Sequence, residues 1–201
     1  MTEHQKWFWD YLDIETAPLE EFRAEAQDDY AWKKSDGIRD STRNKIITIQ
    51  YQQLDGDTGK PEDELKILKE WESSEEEIVK TFAKDMDLND PFWWWNFRPV
   101  GNNLYFEWAH LTPKLKKHCG VNFDFTKLAH NMELTPTAIL INHGVKKGST
   151  KMFGKEGKAV NMKNWYYNKD YDSIENYIKE ETEDFVNRFQ EIYEYLKKFQ
   201  C

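Results

Sequence analysis

The segment WFWDYLDIE, from Trp7 to Glu15, is aromatic and aliphatic and has no strand-breaking residue before Pro18. This composition predicts a β-strand. Side chains alternate between the two faces of a strand, so Asp13 and Glu15 project from the same face, with Cα atoms about 7 Å apart. Carboxylate oxygens at that spacing can both reach one hard cation. The alternative is an ordinary solvated strand end.

The rest of the chain predicts strands first and helices after, which is typical of a mixed α/β layer fold. Composition and turn residues predict further strands at 45–55, 64–71 and 91–101. Capping signals and apolar spacing predict helices from Ser73 or Ser74 to Met86, from Asn103 with a break or restart at Pro113, at 135–142, and from Tyr171 to Phe199. A polar insertion at about 19–44 either folds over the strand end that bears the acids or is an ordinary surface excursion.

Length and composition limit the class of protein. With 201 residues, of which 39% are hydrophobic and 15% aromatic, the sequence predicts one domain over residues 1–201 and argues against intrinsic disorder. Its two cysteines, Cys119 and Cys201, supply no disulfide framework, which predicts a reducing, cytoplasmic compartment and no disulfide partner. No apolar run is long enough to span a membrane and no secretory signal is recognisable, so we expect no membrane partner. The oligomeric state stays open.

Two predicted helices carry an acid on an otherwise apolar face. The stripe of the last helix consists of Ile174, Ile178, Glu181, Phe185, Phe189, Ile192, Leu196 and Phe199. A buried carboxylate is costly unless it is paired or binds a metal, so Glu181 is a candidate ligand; the alternative is a helix-edge Glu that pairs with a lysine. Tyr177 lies one turn earlier on nearly the same face. Glu107 likewise stands on an apolar face, that of the helix after Asn103. The first strand and these two helices thus each carry an acid where burial is expected, which predicts one common cation site.

In these residues the sequence resembles the DEDD superfamily of 3′–5′ exonucleases, especially the tyrosine subclass that includes proofreading domains of family B DNA polymerases. The family's three motifs correspond to YLDIET at 11–16, GNNLYFE at 101–107 and YIKEE at 177–181. The histidine subclass needs a His five positions before the last acid, where this chain has none. Glu107 and Glu181 stand where Asp is commoner. A literal Tyr-x-x-x-Asp also occurs at 166–170, but in a polar, aromatic turn before the last helix.

The resemblance implies a ribonuclease-H-like α/β fold. Its mixed sheet combines an antiparallel meander of three strands with parallel strands, flanked by helices and ending in a long C-terminal helix. The implied ligands of two Mg²⁺ or Mn²⁺ ions are Asp13, Glu15, Glu107 and Glu181. Tyr177 is implied to orient the attacking water and Asn103 to contact the 3′ end. The implied reaction is two-metal hydrolysis of phosphodiester bonds in single-stranded DNA or RNA with a free 3′ end.

Charge and aromatic residues add candidate nucleic-acid contacts. The net charge of −9 argues against a protein that coats nucleic acid, yet residues 144–169 contain seven lysines and one acid. Lys146, Lys147 and Lys151 lie among glycines in this segment and are predicted to follow a phosphate backbone, the alternative being a solvated loop. The tryptophans at 93–95 are predicted as buried strand residues, the alternative being rings that stack on bases.

Two other functions stay open at this point. The first is a catalytically impaired module that keeps the nuclease fold and binds nucleic acid or a protein partner, with the Glu replacements as the cause of lost turnover. The second is a ribonuclease or structure-specific nuclease on the same scaffold.

Overall fold

The structure, a computed structural model, describes residues 7–128, 132–133 and 161–197, which form a mixed α/β fold around a five-stranded sheet. The strands are β1 (Phe8–Pro18), β2 (Asn44–Asp55), β3 (Lys66–Lys69), β4 (Pro99–Gly101) and β5 (Met132–Glu133). Their order is β3-β2-β1-β4-β5. Strand β2 runs antiparallel to β1 and β3, whereas β4 is parallel to β1 and β5 is parallel to β4. The predicted α/β class and mixed sheet are confirmed.

Helices cover both faces of this sheet. They are α1 (Asp29–Lys34), α2 (Glu75–Asp85), α3 (Trp93–Asn96), α4 (Leu104–Cys119), α5 (Met162–Tyr167) and α6 (Tyr171–Lys197). The predicted start of α2 is confirmed, because the Ser74 hydroxyl accepts a hydrogen bond from the Glu77 N–H at 3.2 Å. The helix predicted at 135–142 lies outside the described residues. None of the helices described is both long and apolar enough to cross a bilayer.

The two faces of the sheet are covered differently. On one face, Leu12 and Ile14 of β1 pack with α2 and α4 in a large apolar cluster. On the other face, Trp9 and Tyr11 pack against Phe185 and Phe189 of α6. A second apolar cluster on this face joins the end of β1 to the first two turns of α6. Burial of each large apolar side chain contributes about 1.5–3 kcal/mol, which holds α6 firmly on the sheet. The gap between the two α6 clusters is where the candidate site lies.

The predicted fourth strand at 91–101 is wrong over most of its length. Only Pro99–Gly101 is a strand, while Trp93–Asn96 forms one helical turn. The Asp90 carboxylate accepts a hydrogen bond from the Phe92 N–H at 2.6 Å, which starts this turn. Trp93 is buried and Trp95 is exposed, so the prediction that all three tryptophans are buried is also wrong.

Pro113 does not break α4, which runs without interruption from Leu104 to Cys119. A proline inside a helix costs about 3 kcal/mol. Here its ring is exposed, and the flanking Leu111 and Leu115 are both fully buried in the core. Their burial offsets the lost backbone hydrogen bond and keeps the helix continuous.

Candidate metal site

Three of the predicted acids come together on the face of the sheet covered by α6. Asp13 and Glu15 project from β1 and Glu181 from α6, and one carboxylate oxygen of each lies within 4.8 Å of the others. All three side chains are half-buried. Carboxylate oxygens at this spacing are the hard ligands that Mg²⁺, Mn²⁺ and Ca²⁺ take in proteins. The donor set therefore fits a divalent cation.

The register of β1 explains why Asp13 and Glu15 face α6. Alternation places them on the same face as Trp9 and Tyr11, which pack under α6. A β-bulge between Glu15 and Thr16 shifts the pairing with β2 directly after the second acid. Bulges of this kind redirect side chains next to functional sites.

Helix packing brings Glu181 to the same place. Phe185 and Phe189 anchor the helix on one side of Glu181, and Ile174 and Ile178 anchor it on the other side. Because residues three or four positions apart share a helix face, Glu181 lies in the polar gap between these anchors. Its position over Asp13 thus follows from the packing of its apolar neighbours.

The fourth predicted acid, Glu107, shares a cavity with this cluster. The cavity has a volume of about 300 Å³, and its lining includes Asp13, Glu15, Asn102, Asn103, Glu107 and Tyr177. Glu181 lines an adjoining recess with Asp13 and Asn102. Glu107 is 4% exposed and is not one of the three mutually close acids. Three of the four predicted acids therefore line the cavity and Glu181 lines the adjoining recess, with Glu107 set apart from the three mutually close acids.

The short strand β4 positions Glu107 and the two asparagines. Val100 pairs with Tyr11 in a parallel ladder, so the residues after Gly101 lie beside Asp13. At Gly101 a Cβ atom would lie 2.5 Å from Leu104 Cδ2 and 2.8 Å from the Leu12 carbonyl oxygen. Only glycine permits this close packing, which starts α4 directly at the edge of the cavity.

Tyr177 is buried next to the acids and stays protonated. Burial raises the pKa of its hydroxyl well above the usual range, and the negative charges of Glu15 and Glu181 raise this pKa further. The hydroxyl donates a hydrogen bond to the Glu181 carboxylate. Tyr177 is therefore a fixed hydrogen-bond donor within the acidic cavity.

A buried chain of hydrogen bonds behind Asp13 was not predicted from the sequence. Gln50 pairs with Asp13 across the sheet, is fully buried, and donates from Nε2 to Asp13 Oδ2 at 3.1 Å. The Thr48 hydroxyl in turn donates to Gln50 Oε1 at 3.0 Å. The signal in the sequence is the polar alternation Thr48, Gln50 and Gln52 between the apolar residues Ile47, Ile49, Tyr51 and Leu54 of β2. Such partners orient metal ligands.

Replacing Gln50 by Leu is expected to weaken Mn²⁺ binding by about 10–100-fold while the fold is kept, because Asp13 loses the donor that orients it. Calorimetric titration with Mn²⁺ measures this effect. Gln52→Leu is the matched control, since Gln52 is also a buried polar residue of β2 but donates to the Asp63 carbonyl at 2.7 Å. Equal losses of affinity in both variants would show that Gln50 has no particular role.

The other predicted contacts have mixed outcomes. Asn103 is exposed and lines the cavity, whereas Lys146, Lys147 and Lys151 lie outside the described residues. The alternative Tyr-x-x-x-Asp motif does not reach the acids. Its Tyr166 hydroxyl donates to Glu70 at 2.6 Å instead.

The insertion, residues 19–43 between β1 and β2, lies against the cavity. It contains α1 and three 3-10 turns, at Glu20–Phe22, Glu25–Gln27 and Gly37–Arg39. Four of its residues line the cavity together with the acids: Asp29, Trp32, Lys33 and Ile38. Of the two alternatives left open by the sequence, the structure has the insertion folded over the end of β1 that bears the acids.

Comparison of the sequence with protein-family models gave no match, and comparison with curated proteins gave none.

Proposed function

We propose that this protein is a metal-dependent phosphodiesterase. The observation that carries this proposal is the convergence of Asp13, Glu15 and Glu181, whose carboxylate oxygens lie within 4.8 Å of one another. Packing three half-buried carboxylates this closely is unfavourable unless positive charge neutralises them. A divalent cation supplies that charge with the ligand chemistry that these oxygens offer.

We further propose that the phosphodiesterase is a 3′–5′ exonuclease of the DEDD type. The meander β3-β2-β1 followed by the parallel strands β4 and β5 supports the ribonuclease-H-like arrangement that the motifs imply. The three motifs also supply the four acids and Tyr177 that surround the cavity. The order of the strands in the sheet and the order of the motifs along the chain thus support the same class of enzyme.

The four acids and Tyr177 each have a role in this proposal. Asp13, Glu15 and Glu181 would hold one cation, Glu107 would contribute to a second, and the Tyr177 hydroxyl would orient the attacking water. When bound, Mg²⁺ or Mn²⁺ supplies Lewis acidity that lowers the pKa of water and stabilises the attacking and leaving oxygens. The protein positions these groups rather than forming a covalent bond to the substrate.

The size of the cavity supports a single-stranded substrate. Its volume of about 300 Å³ is at the lower end of the range for ligand pockets, and the insertion forms one of its walls. A pocket this small suits one unpaired nucleotide rather than a base pair, so the 3′ end must be separated from a complementary strand to enter.

The main alternative is a nuclease-fold module without turnover, which binds nucleic acid or a protein partner. The separation of Glu107 from the three mutually close acids favours this alternative, because a second cation then lacks a compact ligand set. Calorimetric titration distinguishes the two functions. Two Mn²⁺ ions per chain support the enzyme, and no Mn²⁺ binding supports the module.

With Mn²⁺ present, the protein is expected to release nucleotides one at a time from linear single strands with a free 3′ hydroxyl. It should leave circular and 3′-blocked strands intact, because the reacting phosphodiester must enter the cavity next to a chain end. Gel analysis of 5′-labelled linear strands and internally labelled circles, of DNA and of RNA, measures both results and their relative rates. Cleavage of the circular strand would contradict the exonuclease assignment.

A further inference from the structure

We propose that the insertion binds the substrate strand and that the Lys33 ammonium contacts one of its backbone phosphates. The nucleic-acid nature of the ligand rests on the proposed function. The juxtaposition that carries this proposal is a lysine of α1 that lines the same cavity as Asp13, Glu15 and Glu107.

Among the described residues two lysines line the cavity, and they differ in their contacts. The Lys163 ammonium forms an ion pair with Asp29 and donates a hydrogen bond to the Ala26 carbonyl. The Asp29 carboxylate therefore neutralises the charge of Lys163. Lys33 is exposed and has no ion-pair partner among residues 7–128, 132–133 and 161–197. Its charge is therefore available to a ligand in the cavity.

Buried contacts fix the wall that carries Lys33. His110 of α4, fully buried, donates from Nε2 to the Ile38 carbonyl at 3.1 Å. The side-chain amide of Asn44 donates to the carbonyls of Gly37 and Asp40 at 2.5 and 2.9 Å. The insertion is therefore held against α4 and β2.

Helix α1 is fixed in a similar way. Trp32 is 6% exposed, and the Arg43 guanidinium lies 4.3 Å from the centre of its ring. The Asp28 carboxylate caps the helix by accepting hydrogen bonds from the N–H groups of Tyr30 and Ala31, each at 3.0 Å. A wall held by such contacts is organised before a ligand arrives, which reduces the entropy lost on binding.

The charge of the cavity explains why a cation is needed on this wall. Asp13, Glu15 and Glu107 line the same cavity as Lys33, so divalent cations bound there are needed to offset the negative charge of these acids. A nucleic-acid strand carries a phosphate at every step, so the phosphates away from the metal site need other positive charges. Lys33 supplies one at the position where the strand passes the insertion.

The test measures binding of a single-stranded oligonucleotide whose 3′-terminal linkages are phosphorothioates that resist hydrolysis. Fluorescence anisotropy in the presence of Mn²⁺ gives the affinity at several salt concentrations. Lys33→Glu is expected to weaken binding roughly tenfold at low salt and to reduce the slope of log affinity against log salt by about 0.7. Lys33→Arg is expected to retain wild-type binding.

Lys34→Glu is the matched control, because Lys34 is an exposed lysine of the same helix that does not line the cavity. Unchanged binding in this variant, together with the loss in Lys33→Glu, supports the proposal. Equal losses of affinity in both variants would show that the overall charge of the protein causes the effect, and they would overturn the proposal. An unaltered affinity of Lys33→Glu, or a wild-type protein that binds no strand, would overturn it as well.

Mn²⁺ calorimetry and turnover of an unmodified strand report on the proposed function separately. Strand binding that depends on Lys33 in a protein without turnover would leave the inference standing and contradict the exonuclease. Turnover that is unaffected by Lys33→Glu at low substrate concentration would support the exonuclease and contradict the inference.

Discussion

Asp13→Asn is expected to lower Mn²⁺-dependent release of 3′-terminal nucleotides by about three orders of magnitude or more. The asparagine keeps the size of the side chain and a carbonyl oxygen that can accept the hydrogen bond from Gln50. It removes one of the three negative charges that lie within 4.8 Å of one another. Loss of a metal ligand removes several kcal/mol of transition-state stabilisation, and about 1.4 kcal/mol corresponds to each factor of ten in rate.

The measurement is the initial rate of nucleotide release from a 3′-labelled single strand. Asp10→Asn is the matched control, since it makes the same chemical change on the same strand and Asp10 does not line the cavity. The control is expected to keep the wild-type rate. Turnover by Asp13→Asn at the wild-type rate would rule out Asp13 as a metal ligand.

Asp10→Asn is expected to stabilise the protein by about 3 kcal/mol at pH 7. Asp10 is 6% exposed, and burial raises the pKa of its carboxyl from 3.8 to about 6, although a hydrogen bond from the Arg98 N–H at 2.9 Å opposes this change. At about 1.4 kcal/mol per pH unit, this displacement corresponds to about 3 kcal/mol. An asparagine oxygen can accept the same hydrogen bond without carrying a buried charge.

The size of this effect depends on pH. The unfolded chain loses the Asp10 proton near pH 3.8 and the folded chain near pH 6, so ionisation destabilises the fold fully above about pH 6 and not below about pH 3.8. The difference in unfolding free energy between Asp10→Asn and wild type should therefore shrink as pH falls from 7 to 4. Urea denaturation at both pH values measures it. A difference that is the same at both would show that the charge of Asp10 is not the cause.

Local periodicity was enough to predict the acids of the site. Alternation along β1 set the shared face of Asp13 and Glu15, and the three-four spacing of the last helix set the inward direction of Glu181. In each case the regular element fixes the side-chain direction, and the apolar neighbours fix which face is buried. The same reasoning set the inward direction of Glu107, but side-chain direction alone does not give the distance between segments, and Glu107 lies apart from the other three acids.

The features that were missed depend on contacts between segments. The bond from Gln50 to Asp13 needs the pairing register of two strands, which the sequence alone does not reveal. The continuity of α4 through Pro113 depends on tertiary burial of Leu111 and Leu115, which outweighs a local breaker. The docking of the insertion depends on single hydrogen bonds such as that from His110 to Ile38, for which no periodic signal exists.

The position of Mn²⁺ in a crystal soaked with that ion, located by its anomalous scattering, tests the convergence of the acids most directly. We expect one ion bound by the carboxylates of Asp13, Glu15 and Glu181, with Glu107 at a second ion in the same cavity. Crystals of Asp13→Asn should lose the first ion. A wild-type cavity that stays without Mn²⁺ at millimolar concentration, or Mn²⁺ bound only at other acids of the surface, would contradict the metal site and the nuclease function that depends on it.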